Sequence, residues 1–191
     1  LCESCAAGVF CSGCGRPLGP QHDRLSDGRP VCPQCRAEAV DKPADALLLY
    51  EQVMDTVVNT LSLRVHLRPG LLLCSRNDME RLQHTVERPS GPGAPQGHLL
   101  GAYVKLGRRR QIAIETGLPR WMFIKVVAHE YAHAWQGENC PFLNDGPLIE
   151  GFCEWVAYKV LAAFGFSAAA ENMRRAEGFY GNAMRRVLDL E

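Results

Sequence analysis

Hydrophobic residues recur along the chain at spacings that predict its first regular elements. From about residue 44 to 61 they return every three or four positions, which predicts a helix with one face in a core. Residues 62–68 alternate between apolar and polar side chains, which predicts a half-buried strand ended by Pro69 and Gly70. His66 falls on the polar side of that strand, and we interpret it as a surface histidine.

The middle of the chain predicts a short helix, a loop and two strands. Ser75 is a suitable cap for a helix that runs to Gln83. The glycine- and proline-rich residues 88–97 predict a loop. Residues 100–106 and 111–115 predict strands, and the arginines of the turn between them are interpreted as a solvated hairpin tip.

The last third of the chain is predicted to be helical. One helix begins near Pro119, which suits a first helical turn, and a second runs from about Leu148 to Gly165. Residues 168–190 are helical with interruptions around Gly178 and Gly181. Strands set among helices in this way indicate the α+β class.

The helix after Pro119 carries two histidines whose spacing suits a metal site. His129 and His133 are four residues apart, so they lie on nearly the same helix face, about 40° apart around its axis. Two imidazoles at this spacing can bind one zinc ion, and Glu130 can reach the open position of that metal. This is the H-E-x-x-H arrangement of zinc-dependent peptidases.

The following helix offers a third ligand. Glu150 lies seventeen positions after His133, close to the spacing of the third protein ligand in zincins that use a glutamate. Glu154 is one turn farther on the same face, where it could accept a hydrogen bond from a zinc-bound histidine. The alternative is that both carboxylates are solvated groups on an amphipathic helix.

Composition excludes some partners. The 191 residues include 21 acidic and 21 basic side chains, and this balance argues against a broad nucleic-acid or membrane-surface field. The apolar runs are too short to span a membrane, and the first residues do not resemble a signal peptide. We therefore expect no membrane partner, and the charge balance disfavours a nucleic-acid partner, although a local basic patch stays open.

Six of the nine cysteines fall in the first 35 residues as three C-x-x-C pairs. Tight pairs and an odd total suit zinc better than disulfides, which favours a reducing, cytoplasmic compartment. Two of the pairs are separated by seventeen residues that contain the turns of a small β-hairpin, and they predict a closed structural zinc site. Its ligands are Cys11, Cys14, Cys32 and Cys35.

The remaining pair, Cys2 and Cys5, has no equally good partner. It could be the last pair of a preceding finger, or His22 or an unpaired site could complete it. We therefore predict a LIM-like zinc-finger module over residues 1–38, truncated at its amino-terminal end, and a second domain over residues 44–191.

These motifs resemble the LIM-domain metallopeptidases that limit organ size in plants, which are ubiquitin-activated peptidases, and their shorter bacterial relatives. The resemblance is carried by residues 112–114, 117–120, 127–135 and 150–153. The C-x-x-C fingers ahead of them match the domain order of the family, and Tyr180 with its following glycine resembles a motif near the carboxyl-terminal end.

The resemblance implies a zincin-like fold with a small mixed or antiparallel sheet and active-site helices. It places His129, His133 and Glu150 on zinc and makes Glu130 catalytic. Two departures limit it. The link between Cys5 and Cys11 and the lack of an internal histidine ligand make the fingers LIM-like halves or zinc ribbons. The sequence also lacks a ubiquitin-interacting helix, so ubiquitin activation is not carried over.

The expectation is a zinc metallopeptidase, an endopeptidase in preference to an exopeptidase, that acts on proteins or peptides. Zinc would fill one catalytic and at least one structural site, and Glu130 would accept a proton from a zinc-bound water. Tyr180 is the candidate oxyanion donor, with a packed aromatic as its alternative. An extended substrate could pair with the edge of strand 101–106 or of strand 111–115.

Two other interpretations stay open. The chain could be a zinc-finger adaptor whose inactive zincin fold has become a binding scaffold for protein or nucleic acid, with the fingers as the contact for a protein partner. The intact set of two histidines and two glutamates argues against it. The peptidase could instead be latent, with the fingers or residues 88–97 covering the cleft.

Overall fold

A computed structural model describes residues 8–85 and 97–191 as a mixed α+β fold with small sheets. The described strands are β1 (Asp23–Arg24), β2 (Pro30–Val31), β3 (Ala39–Val40), β4 (Gly70–Cys74), β5 (Gly101–Leu106), β6 (Arg109–Glu115) and β7 (Leu118–Pro119). The described helices are α1 (Pro33–Ala37), α2 (Pro43–Leu61), α3 (Arg76–Gln83), α4 (Arg120–Asn139), α5 (Gly146–Ala163), α6 (Ser167–Arg175) and α7 (Phe179–Leu188). The predicted α+β class is confirmed.

The main sheet has three strands in the order β4-β6-β5. Strand β6 is central, pairing in parallel with β4 and antiparallel with β5. Its residues Ile112, Ala113 and Ile114 are fully buried, as expected for a strand with neighbours on both sides. Strand β5 therefore lies at one edge of the sheet, beside α4.

The main core forms where α4 packs against α2, α5 and the sheet. Helix α4 is apolar over most of its circumference, which is typical of a helix enclosed by its neighbours. Its residues Phe123, Ile124, Val127, Ala128 and Ala132 are fully buried. The hydroxyl group of Tyr131, also buried, donates a hydrogen bond of 2.9 Å to the carbonyl of Leu63. The helix that carries the two histidines thus contributes many of its side chains to the core.

The predicted strand over residues 62–68 is wrong. Ser62 ends α2 in the left-handed conformation with a φ of 59°, and the strand begins only at Gly70. The backbone N–H groups of His66 and Leu67 donate to the carboxylate of Glu138, at 2.6 and 3.2 Å. A side chain from the end of α4 therefore provides the hydrogen bonds that a neighbouring strand would have given. His66 is exposed, as predicted.

Other predicted elements agree with the structure. Helix α2 has the expected range, although the apolar spacing would also bury Leu47, which is half exposed. Ser75 caps α3 by accepting a hydrogen bond from the backbone of Asp78. The last helical region breaks at Gly178, whereas Gly181 lies within α7. Residues 86–96, most of the predicted loop, lie outside the described residues.

The cysteine-rich segment packs on the turn that precedes α4. Strand β3 pairs with β7, and the N–H of Gly117 donates to the carbonyl of Val40. The N–H of Arg120, in the first turn of α4, donates to the carbonyl of Glu38. The division at residues 1–38 and 44–191 stays a prediction. Within the described ranges, every helix is too short or too polar to cross a membrane.

Gly151 allows the close contact between α5 and α7. A Cβ atom at this position would lie 2.3 Å from the carbonyl oxygen of Ala183 in α7. Because that oxygen belongs to a helix backbone, the two helices would have to move apart.

We expect Gly151→Ala to lower the free energy of unfolding by about 1–3 kcal/mol, as overpacked substitutions do. Denaturant unfolding followed by circular dichroism measures this. The control is Gly70→Ala, where a Cβ atom meets nothing within 4 Å. Equal stability of the two variants would contradict the assigned contact.

Candidate metal centres

Four cysteines converge at the amino-terminal end of the described chain. The sulfur atoms of Cys11, Cys14, Cys32 and Cys35 all lie within 4.8 Å of one another, so this group could hold a metal ion. The first pair lies in a turn closed by pairing of Phe10 with Pro17. The second pair begins α1, with Cys32 at its cap. The two pairs predicted from sequence spacing thus come together in one group.

Backbone N–H groups donate hydrogen bonds to two of these sulfurs. The N–H of Cys32 donates to Cys11, and the N–H of Cys35 donates to Cys32. Burial raises the pKa of the Cys11 thiol, but the surrounding N–H groups outweigh it and lower that pKa to about 6. Burial and the neighbouring thiols raise the pKa of Cys35. The group can therefore supply thiolate, the form that binds metal.

Three side chains from α4 and α5 form a second candidate centre. The Nε2 atoms of His129 and His133 lie 3.2 Å apart. One carboxylate oxygen of Glu150 lies 3.3 Å from Nε2 of His129, and the other lies 3.6 Å from Nε2 of His133. Glu150 is only 6% exposed. Two imidazole nitrogens and one carboxylate therefore face a common point.

A carboxylate and a lysine stand behind His129. Glu154 lies 3.1 Å from Nδ1 of His129, and Lys125 lies 3.1 Å from the other oxygen of Glu154. Burial opposes the charge on Glu154, but Lys125 and then His129 lower its pKa to about 2. Burial likewise opposes a charge on His129, yet hydrogen bonds to Glu150 and Glu154 raise its pKa to about 10. This arrangement fixes the orientation of the His129 ring.

A thiol and an amide stand behind His133. The sulfur of Cys153 lies 3.3 Å from Nδ1 of His133 and 3.3 Å from the side-chain oxygen of Gln136. The amide nitrogen of Gln136 in turn donates to the carbonyl of Ile149. Burial raises the pKa of the Cys153 thiol, so this group can donate a hydrogen bond while accepting another.

Cys153 is also close enough to both histidines for the three to form a possible metal group. Its sulfur, however, faces Nδ1 of His133, whereas Glu150 faces the two Nε2 atoms that point towards each other. We therefore favour Glu150 as the third ligand, with Cys153 as the hydrogen-bond partner of His133.

His129 of the second centre lines a cleft with a volume of about 180 Å³. The cleft is bounded by residues 97–101, by α4 and by Tyr180, whose ring centroid lies 6.1 Å from that of His129. Glu130 also lines it, and its carboxylate accepts a hydrogen bond of 2.8 Å from the backbone N–H of Tyr103. The predicted residues Glu130, Tyr180 and Glu154 thus all border one space.

Sequence reasoning missed Lys125 and His98, which also line the cleft. Lys125 lies four residues before His129 on the same helix, so helical spacing could have indicated it. His98 lies outside any regular element, and its placement depends on contacts distant in sequence.

The possible site at Cys2 and Cys5 stays a prediction, because both residues lie outside the described ranges. His22, the alternative partner, has a buried Nε2 atom for which residues 8–85 and 97–191 offer no hydrogen-bond partner.

The chain is similar to the Protein DA1 of Arabidopsis thaliana, with 27% identity over 184 residues that cover 80% of this chain and 34% of that protein. It thus spans about a third of the length of this relative. No family model matches the chain, and no solved structure matches it. The similarity supports, as distant homology, the resemblance to the LIM-domain metallopeptidases.

We expect the two metal groups to be separable by zinc counting. His129→Ala removes a ligand from one group and Cys32→Ser from the other, so each variant should hold about one zinc fewer than the unaltered chain. Atomic emission after dialysis against a weak chelator measures this. The control is Cys140→Ser, which touches neither group. An unchanged zinc content in His129→Ala would exclude the second centre.

We expect Glu154→Gln to weaken zinc binding at the histidine centre by about 10–100-fold, the usual effect of losing a carboxylate behind a metal-bound histidine. Chelator competition with a fluorescent zinc indicator measures the affinity. Glu171→Gln, at an exposed ion pair on α6, is the matched control. Equal affinities would show that Glu154 does not support His129.

Proposed function

We propose that this chain is a zinc-dependent peptidase of the zincin type that cleaves internal bonds of protein or peptide substrates. The observation that carries the proposal is the convergence of His129, His133 and Glu150 on one point, with Nε2 and carboxylate atoms 3.2–3.6 Å apart. Glu130, the remaining functional residue of the H-E-x-x-H pattern, borders the same cleft.

The donor set fits zinc. Catalytic zinc in proteins is held by three side chains drawn from histidine, glutamate, aspartate and cysteine, which leaves a position open. Two imidazoles and one carboxylate meet this description. Each imidazole has a partner at its other nitrogen, Glu154 for His129 and Cys153 for His133. Such partners orient metal-bound histidines and fix which nitrogen carries the proton.

A zinc ion held by His129, His133 and Glu150 would supply a Lewis acid for the scissile carbonyl and would lower the pKa of its water to roughly 7. Glu130 is proposed to accept a proton from the attacking water and to return it to the leaving amine. Its carboxylate is held by the N–H of Tyr103, so it is oriented before substrate binds. The phenol group of Tyr180, across the cleft, is proposed as the donor to the developing oxyanion.

Strand β5 is proposed to bind the substrate backbone. It pairs with β6 on one side, and the Tyr103 N–H on its other side points to Glu130 in the cleft. An extended peptide could therefore add to β5 by backbone hydrogen bonds beside the catalytic glutamate.

The cysteine group is proposed as the structural zinc site and as a possible contact for a protein partner. We also propose a reducing, cytoplasmic compartment, because four cysteines form a possible metal group rather than disulfide pairs.

We expect Glu130→Gln to keep its full zinc content but to hydrolyse unfolded casein about 10²–10⁴ times more slowly, because the general base is lost. Release of peptides from fluorescently labelled casein measures the rate. Glu80→Gln, on the exposed face of α3, is the control.

Equal hydrolysis by Glu130→Gln and the unaltered chain would reject the mechanism. Absence of casein hydrolysis by the unaltered chain, with both metal groups filled, would also contradict the proposal. It would favour the latent or adaptor interpretation.

A further inference from the structure

A line of buried polar side chains joins the cysteine module to the wall of the cleft. Arg29, only 8% exposed, lies between β1 and β2. Its guanidinium group donates to the carboxylate of Glu115 and, at 2.6 Å, to the carbonyl of Thr116. Glu115 ends β6 and is fully buried. Its second oxygen contacts Nε2 of His98, which lines the cleft.

One end of this line is fixed by the cysteine group. Strand β2 connects Arg29 directly to Cys32. The backbone N–H and the hydroxyl group of Ser12, within the first cysteine pair, both donate to the carbonyl of Pro30 at 2.9 Å. The position of Arg29 therefore depends on the fold that the module adopts around its cysteines.

The other end of the line is part of the cleft. His98 belongs to the segment of residues 97–101 that forms one wall. The N–H of Glu115 donates to the carbonyl of Leu100, so the same residue holds this wall by its backbone and by its side chain. Gly101, at the end of the segment, packs tightly against Val126 and Glu130. Movement of Glu115 would therefore displace residues 97–101, which form this wall of the cleft.

Glu115 needs both of its partners. A carboxylate without solvent contact is costly unless its oxygens receive hydrogen bonds or face a positive charge. Arg29 serves one oxygen and His98 the other. Without Arg29, one carboxylate oxygen would lack a donor. The Glu115 side chain would then rotate towards another donor and lose its contact with His98.

We propose that the cysteine module positions a side chain in the wall of the cleft. Arg29 and Glu115 are positioning residues that hold His98 at the wall, where its ring contacts the bound peptide. The peptide contact rests on the proposed function, whereas the hold on His98 does not depend on hydrolysis.

The test is the accessibility of His98 in the whole chain with both metal groups filled. Modification of histidines by diethyl pyrocarbonate, read peptide by peptide in a mass spectrometer, reports it. Arg29→Gln should raise the reaction rate of His98 by about tenfold or more, as when a protected segment opens locally. Arg24→Gln is the control, since Arg24 is an exposed residue of the same hairpin. Equal rates for the two variants would overturn the proposal.

A double variant separates positioning from simple stabilisation. Arg29→Met with Glu115→Leu removes the buried charges together, and such replacements often preserve stability. His98 should stay reactive in this variant although its melting temperature recovers. If His98 is protected again, Arg29 acts only on stability and the proposal fails. If Arg29→Gln does not fold, the reactivity of His98 in the double variant still tests whether Arg29 and Glu115 position it.

Casein hydrolysis tests the peptide contact. His98→Gln and Arg29→Gln should raise KM by a similar factor, with kcat little changed and no further rise when they are combined. An unchanged KM would overturn the peptide contact. Absence of hydrolysis in the unaltered chain would reject the proposed function instead, and the reactivity of His98 would still decide the coupling.

Discussion

The packing of α4 against α5 is the interaction on which the rest of the structure depends. It places three mostly buried polar side chains, Gln136, Glu150 and Glu154, at the contact between the two helices. Such burial costs free energy that hydrogen bonds and opposite charges must offset. Here the offset comes from two imidazoles and from Lys125. A cation between Glu150 and the imidazoles would complete it, so metal binding and helix packing would stabilise each other.

The two histidines differ in what stands behind them, and this difference has chemical consequences. His129 faces an ionised carboxylate that is itself paired with Lys125. His133 faces the neutral thiol of Cys153. A carboxylate partner increases the basicity of a ligand ring more than a thiol does. The two imidazoles should therefore be unequal donors to a shared ion, with His129 the stronger.

The sequence predicted those features that depend on residues close together in the chain, and it failed for those that depend on distant contacts. The convergence of His129 with His133 follows from helical periodicity alone, and that of the cysteine pairs from their spacing in a hairpin. Glu150 was harder, because spacing indicates a third ligand but only helix packing brings it to the histidines. The strand expected at residues 62–68 failed because Glu138, distant in sequence, takes the backbone hydrogen bonds. His98 could not be found, since its position depends on a contact with Glu115, which is distant in sequence.

The bond from the Arg120 N–H to the carbonyl of Glu38 has a consequence for protein engineering. Helix α4 begins without a side-chain cap, because Pro119 has no group that could accept a hydrogen bond from the first turn. The preceding module supplies one acceptor through its main chain instead. A shorter fragment that begins after Val40 would lack this acceptor at the first turn of its central helix, and its designer would have to place a serine or aspartate ahead of Arg120.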